Sequence, residues 1–163
     1  MSDTSESWLP FIVAQYHLEG HHRRTEHWSL AALSSRSRAH IFEVVGTDAT
    51  FNYAPRLDTD FARNPLFRGG CIVGHVRASG IAQLTELLRA VRVVRYALDW
   101  DCQNWVMDAL RLLRDMDLDD AEALGFRLVS TSERAMRDEL GAEKERWEVA
   151  DDTIEERLFP ASA

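Results

Sequence analysis

The sequence predicts one α+β domain, built on a mainly antiparallel sheet with helices packed against it. Two observations carry that prediction. Runs dense in aromatic and β-branched residues fill the first half, from Trp8 to Val76, and helical periodicity begins only after Ser79. Strands first and helices afterwards, without β–α alternation, describe an α+β chain rather than a parallel doubly wound one. The length of 163 residues suits a single domain, large enough to bury about two-thirds of the surface its unfolded chain exposes. The domain is expected over residues 8–147, with 1–7 and 148–163 as loose or docked termini.

In chain order, Trp8 to His17 reads as a buried strand with Pro10 near its start. Glu19 to Thr25 is a charged loop. Its His21-His22 pair resembles a metal tract, but no nearby Cys or carboxylate completes a site, so an exposed loop is expected. His27 to Leu33 and Ala39 to Val45 form a hairpin across the short Ser/Arg segment. Gly46 ends the third strand, and Phe51 to Tyr53 can make a short fourth. Ala54 to Arg68, with Pro55 and Pro65, is expected to be a long surface connection bordering a substrate groove. Cys71 to Val76 is a further strand, with Cys71 as a small buried hydrophobe.

Ser79 can cap a helix whose apolar positions Ile81, Leu84, Leu87, Leu88 and Val91 recur at helical spacing. Asp99 or Asp101 caps the next, which buries Trp105, Val106, Ala109, Leu110, Leu112 and Leu113. An acidic break, Asp115 to Asp120, leads through Gly125 to a last helix. That helix is capped by Ser130 with Glu133 at capping-box spacing and runs to about Trp147. Ile154, Leu158 and Phe159 can dock the acidic end.

Composition narrows the function classes. A formal net charge of −8 argues against a nucleic-acid backbone as the main partner. No apolar run approaches the roughly 18 residues of a membrane span. The polar, acidic Met1 to Ser7 carries no secretory signal pattern, so a reducing cytoplasmic setting is the default. Cys71 and Cys102 match no zinc spacing, and no cofactor is expected.

The chemistry centres on Leu98 to Val106, where an acidic turn feeds Cys102 into the start of a helix. Helix starts carry partial positive charge and unpaired N–H groups, which favour a thiolate and can hold an oxyanion. A thiol nucleophile needs a base within reach and a third group to hold that base. His27 and His40 can supply both. If the hairpin turns at Ser34-Ser35, Ser29 faces His40, and the two histidines become same-face diagonal neighbours about 7–8 Å apart at the backbone. A register one residue different sends His40 to the opposite face. Each residue taken singly also fits an ordinary structural role. Gln103 and Tyr16 are candidates to complete an oxyanion site with the Cys102 N–H.

His27-Trp28 opening a strand, a second His on the next strand and a later Cys102-x-x-Trp105-Val106 helix start together resemble the circularly permuted papain-like thiol enzymes. The lecithin retinol acyltransferase group is among them. The resemblance implies a permuted papain-like fold, with Cys102 as nucleophile, His27 as base and His40 as the orienting residue. More closely, the span from Phe11 to Leu113 looks like an uncharacterised family of small fungal proteins. Its pattern is an opening apolar strand, a His-Trp strand, an Arg-x-His strand, a Gly-x-Val strand with a following helix, and a Trp-Asn-Cys-x-x-Trp-Val helix start. Here Asp101 stands where that family commonly has Asn.

The leading expectation is a cysteine-dependent hydrolase or acyltransferase that forms an acyl-thioester on Cys102. Its substrate would be a soluble amide, peptide or small ester rather than a bilayer lipid, with no nucleic acid, metal or stable membrane insertion. Oligomeric state is left open. The alternative is a non-catalytic binding domain of the same fold.

Overall fold

A computed structural model of the chain describes residues 7–129 and 132–160. The strands are β1 (Trp8–His17), β2 (Glu26–Leu33), β3 (Ala39–Phe42), β4 (Val44–Val45), β5 (Asn52–Tyr53), β6 (Arg56–Asp58), β7 (Phe67–Arg77) and β8 (Phe126–Leu128). The α-helices are α1 (Ile81–Leu88), α2 (Cys102–Arg114), α3 (Leu118–Leu124), α4 (Glu133–Glu148) and α5 (Ile154–Leu158). Six strands form one antiparallel sheet in the order β6-β3-β2-β1-β7-β8, and β4-β5 make a separate ribbon.

β1 runs through the middle of the sheet, and every residue from Phe11 to Tyr16 is buried. Such a strand must be covered on both faces, which is why its sequence is apolar without alternation. Phe11, Val13, Leu30, Ala32 and Phe42 pack on one face with Leu84, Trp105, Val106 and Ala109 of α1 and α2. Ile12, Ala14, Ala31, Leu33 and Ile41 pack on the other with Phe61, Phe67 and Ile154, and Trp147 of α4 closes against them. Helices therefore cover both faces of the sheet. A doubly buried central strand requires the second layer that α5 and the Phe61–Arg63 3₁₀ turn supply.

The Ala54 to Arg68 connection is more ordered than its composition suggests: it adds β6 to the sheet edge and buries Phe61 completely. The strand expected over Cys71 to Val76 extends from Phe67 to Arg77. Two elements arise where an acidic break was expected, namely α3, capped by Asp117, and β8, which pairs with Gly74 to Val76. Gly125 makes that reversal possible: its φ of 81° is left-handed and ends α3 directly before β8. A Cβ at Gly74 would run into the Arg127 carbonyl across the strand pair. The cap of α4 is Ser132, whose hydroxyl accepts the Ala135 N–H at 3.0 Å. Ser130 lies outside the described residues.

The register of the β2–β3 hairpin differs from expectation, and the difference decides the site. Ala32 pairs with His40 and Leu33 with Ala39. The turn is a wider loop centred on Arg36, in which Ser34 N–H donates to Arg38 O at 2.9 Å and Ser35 Oγ accepts the Arg38 N–H at 3.1 Å. The two serines begin the loop instead of forming its tip. His40 pairs with Ala32 rather than Ser29, an odd displacement, so it shares the side of Ala32 and lies opposite His27.

Candidate functional site

α2 begins where it does because Asp101 caps it from both sides. Its carboxylate accepts the Gln103 N–H at 3.0 Å, and the Asn104 side chain accepts the Asp101 N–H at 2.9 Å, completing a capping box. Asp101 is only 1 % exposed, and its other oxygen takes the Arg24 Nε–H at 2.9 Å. Asp101 rather than Asp99 is therefore the cap, and its charge is matched by the partly exposed guanidinium of Arg24. Cys102 is the first residue of the helix. Its N–H is among the donors a helix cannot satisfy internally, and it sits at the positive end of the helix dipole.

β2 delivers His27 at its second residue, and Glu43 follows directly on β3. His27 Nε2 and Glu43 Oε2 are 3.0 Å apart, with side-chain exposures of 23 % and 7 %. Arg56 Nε stands 3.5 Å from the other carboxylate oxygen and holds it in place. Burial alone would drive protons off His27. Hydrogen bonding and charge from Cys102 and Glu43 outweigh it and raise the imidazolium to about 10. With Nε2 committed to Glu43, Nδ1 is the nitrogen left for the sulfur.

The side chain held against His27 is thus Glu43, and His40 does not join it. His40 lies in a shallow recess with Pro55, Arg56 and Thr85, and burial together with Arg38 keeps its ring below the ordinary range. Glu43 had a legible signal, being the lone carboxylate inside the apolar run Ile41 to Val45. Nothing local could have set it above His40, since only the register distinguishes the two.

Cys102 and His27 both line a cleft of about 460 Å³. Its walls include Leu18, Val44, Val45, Phe51 and Leu98, and no residue from Ala54 to Arg68 borders it. That segment contributes instead through Arg56 behind Glu43. Tyr16 is not part of the cleft wall. It is 5 % exposed, its ring centroid is 6.0 Å from that of His27, and burial with Glu43 nearby pushes its hydroxyl above the ordinary range. The Gln103 side chain is also committed elsewhere: Nε2–H donates to Glu26 O at 2.9 Å, and Oε1 accepts from Arg137 at 2.9 Å. Tyr16 thus lies off the cleft and Gln103 is committed elsewhere, so neither side chain completes an oxyanion site there. Cys71 differs from Cys102 in kind, since burial, with Glu139 and Glu143 nearby, pushes its thiol up to about 11.

The loop before β2, which reads as merely solvated, forms part of the site. His21 and His22 line the cleft, and the loop is fastened to the segment preceding Cys102. His22 Nε2 donates to Leu98 O at 3.0 Å, Arg23 donates to the same carbonyl at 3.1 Å, and Arg24 holds Asp101. Among the described residues, no group of three His, Cys, Asp or Glu side chains could hold a metal ion. No helix among them is long and apolar enough to cross a membrane.

Fold and site together define an α+β domain with a cysteine at a helix start, a histidine at a strand start and a carboxylate behind that histidine. The chain belongs to a family of unknown function, DUF6540, whose profile matches residues 14–118, the span from β1 through α2 that holds Cys102, His27 and Glu43. No curated protein and no solved structure matches the chain.

Proposed function

We propose that this protein is a cysteine-dependent hydrolase or acyltransferase acting on an amide or ester through an acyl-thioester on Cys102. The observation that carries this reading is the His27–Glu43 contact of 3.0 Å beside Cys102, with His27 held as imidazolium by both partners. A cysteine beside an imidazolium is placed to react as a nucleophile. In the proposed sequence the thiolate adds to the substrate carbonyl, and the imidazolium then protonates the departing amine or alcohol. Neutral His27 next takes a proton from water or an acceptor nucleophile, which attacks the thioester and releases Cys102. Glu43 keeps the ring oriented and stabilises its charge in each half.

The resemblance to circularly permuted papain-like thiol enzymes, including the lecithin retinol acyltransferase group, belongs to this proposal. So do the fungal source that the resemblance implies and a cytoplasmic setting, the latter supported by two free cysteines. The apolar walls of the cleft favour an uncharged acyl group on a soluble amide, peptide or small ester. The net charge of −8 disfavours docking on anionic bilayers.

The test is incubation with peptide amides, soluble thioesters and phospholipid vesicles, with mass analysis of the protein and Cys102→Ala as control. An acyl adduct on Cys102 or Cys102-dependent turnover of the soluble compounds is expected. Transfer from vesicles alone overturns the substrate class. Absence of any Cys102-dependent reaction replaces the enzyme with a binding domain.

A further inference from the structure

Addition of a thiolate to a carbonyl leaves a negative oxygen that must be met by fixed hydrogen-bond donors. Cys102 N–H can be one. The second has to come from the wall of the same cleft, and the structure offers an unusual candidate in His21. Its Nδ1 accepts two backbone N–H groups, from Arg23 and from Arg24, each at 3.0 Å. A ring nitrogen that accepts hydrogen bonds carries no proton, so in the neutral ring the hydrogen sits on Nε2. Protonating Nδ1 would break both bonds and set N–H against N–H. Burial also lowers the ring's affinity for a proton, and His22, Arg24 and Arg23 add to this, with Asp101 opposing.

The ring is braced as well. His22 stacks on it with centroids 4.6 Å apart and planes 20° from parallel, and His22 is itself tied to Leu98 O. Among the described residues, nothing takes the hydrogen on His21 Nε2. His27 and His21 are therefore set for opposite tasks in the cleft: His27 is held charged by Cys102 and Glu43, and His21 is held neutral by backbone N–H groups.

We propose that His21 is a neutral N–H donor in the Cys102 cleft and, with the Cys102 N–H, binds the carbonyl oxygen as it becomes an oxyanion. This rests on the reading of Cys102 as an acyl-accepting nucleophile, and its test can separate the two. A neutral donor stabilises the oxygen without offering a second proton to the thiolate, so His27 remains the only acid.

Two electrophiles distinguish the roles. Iodoacetamide alkylates a thiolate by displacement of iodide at a saturated carbon, and no oxyanion forms. p-Nitrophenyl acetate acylates it through one: the S–C bond forms, the carbonyl electron pair moves to oxygen and returns, the C–O bond breaks and p-nitrophenolate leaves. His21→Asn keeps a short acceptor for the Arg23 and Arg24 N–H groups and removes the distal donor. His21→Gln places an amide N–H near the Nε2 position.

For His21→Asn, acylation of Cys102 is expected to fall on the order of 10²-fold, with alkylation by iodoacetamide unchanged. His21→Gln should recover part of the acylation rate. Equal loss of both reactions in the Asn variant would mean that His21 only positions the loop and Cys102, which overturns the proposal. Undiminished acylation overturns it too, as does a wild-type Cys102 that alkylates readily yet never acylates. A wild-type Cys102 inert to both reagents would instead remove the nucleophile on which the inference stands.

Discussion

Replacing Glu43 by glutamine keeps the shape of the side chain and removes the charge behind His27. A rise in the His27 pKa from 6.5 to about 10 is a preference for the charged ring of roughly 5 kcal/mol. Cys102 contributes more of it than Glu43, so the carboxylate's part is about 1–3 kcal/mol. The pair is largely buried, and water screens it less than a surface contact. Arg56 is partly exposed and adds little to the loss.

The sign follows from linkage. The folded His27 binds its proton more tightly than the unfolded one, so the stability it contributes is fully present below the unfolded pKa of 6.5 and disappears as pH rises through about 10. Cys102 is common to both proteins, so the difference between them isolates Glu43. Urea unfolding should show Glu43→Gln less stable by about 1–3 kcal/mol near pH 6, with the gap closing towards pH 10. A ¹H–¹³C titration of the His27 ring should show its midpoint falling by about 1–2 pH units in the variant. A wild-type midpoint near 6.5, or one unmoved by the substitution, would refute the assignment of Glu43 as the partner that holds the charge.

Two further outcomes test the arrangement. Because His40 lies across the sheet from His27, His40→Ala should leave the iodoacetamide rate of Cys102 unchanged, and a tenfold fall would restore it to the site. Asp101→Ala deletes a helix cap and strands Arg24. It should cost about 1–3 kcal/mol by thermal or urea unfolding, and a change under about 0.5 kcal/mol would show that neither bond carries weight.

Limiting iodoacetamide should label Cys102 in preference to Cys71, and the cause lies in local surroundings. Cys71 lies in a central stretch of β7 facing Glu139 and Glu143 from α4, which raises its thiol, while Cys102 faces an imidazolium. A single cysteine at a helix start is weak evidence taken alone. It becomes chemistry here because the loop residues Gly20 to His22, the start of β2, β4 and the start of α2 converge on one cleft.

What the sequence by itself determined is what depends on near neighbours. Apolar runs such as Phe11 to Tyr16 announce buried strands, and the period of Trp105, Val106, Ala109 and Leu113 announces α2. The acidic residues Asp99 and Asp101 before Cys102 announce a cap that places the thiol at a helix start. The α+β antiparallel class follows from the order of those elements. The pairing register lay beyond local pattern, because the segment from Ser34 to Arg38 accommodates either a tight turn or a wider loop. The choice is made by what the whole strand must bury against β1 and β6. That choice, an odd number of residues, exchanged His40 for Glu43. The second decision was equally tertiary. His22 and Arg24 read as solvated charge until the fold brings Leu98 and Asp101, 76 and 77 residues away in sequence, against them. Side chains of ambiguous local meaning acquire a role when the fold brings their partners to them, Asp101 to Arg24 and both Glu43 and Cys102 to His27.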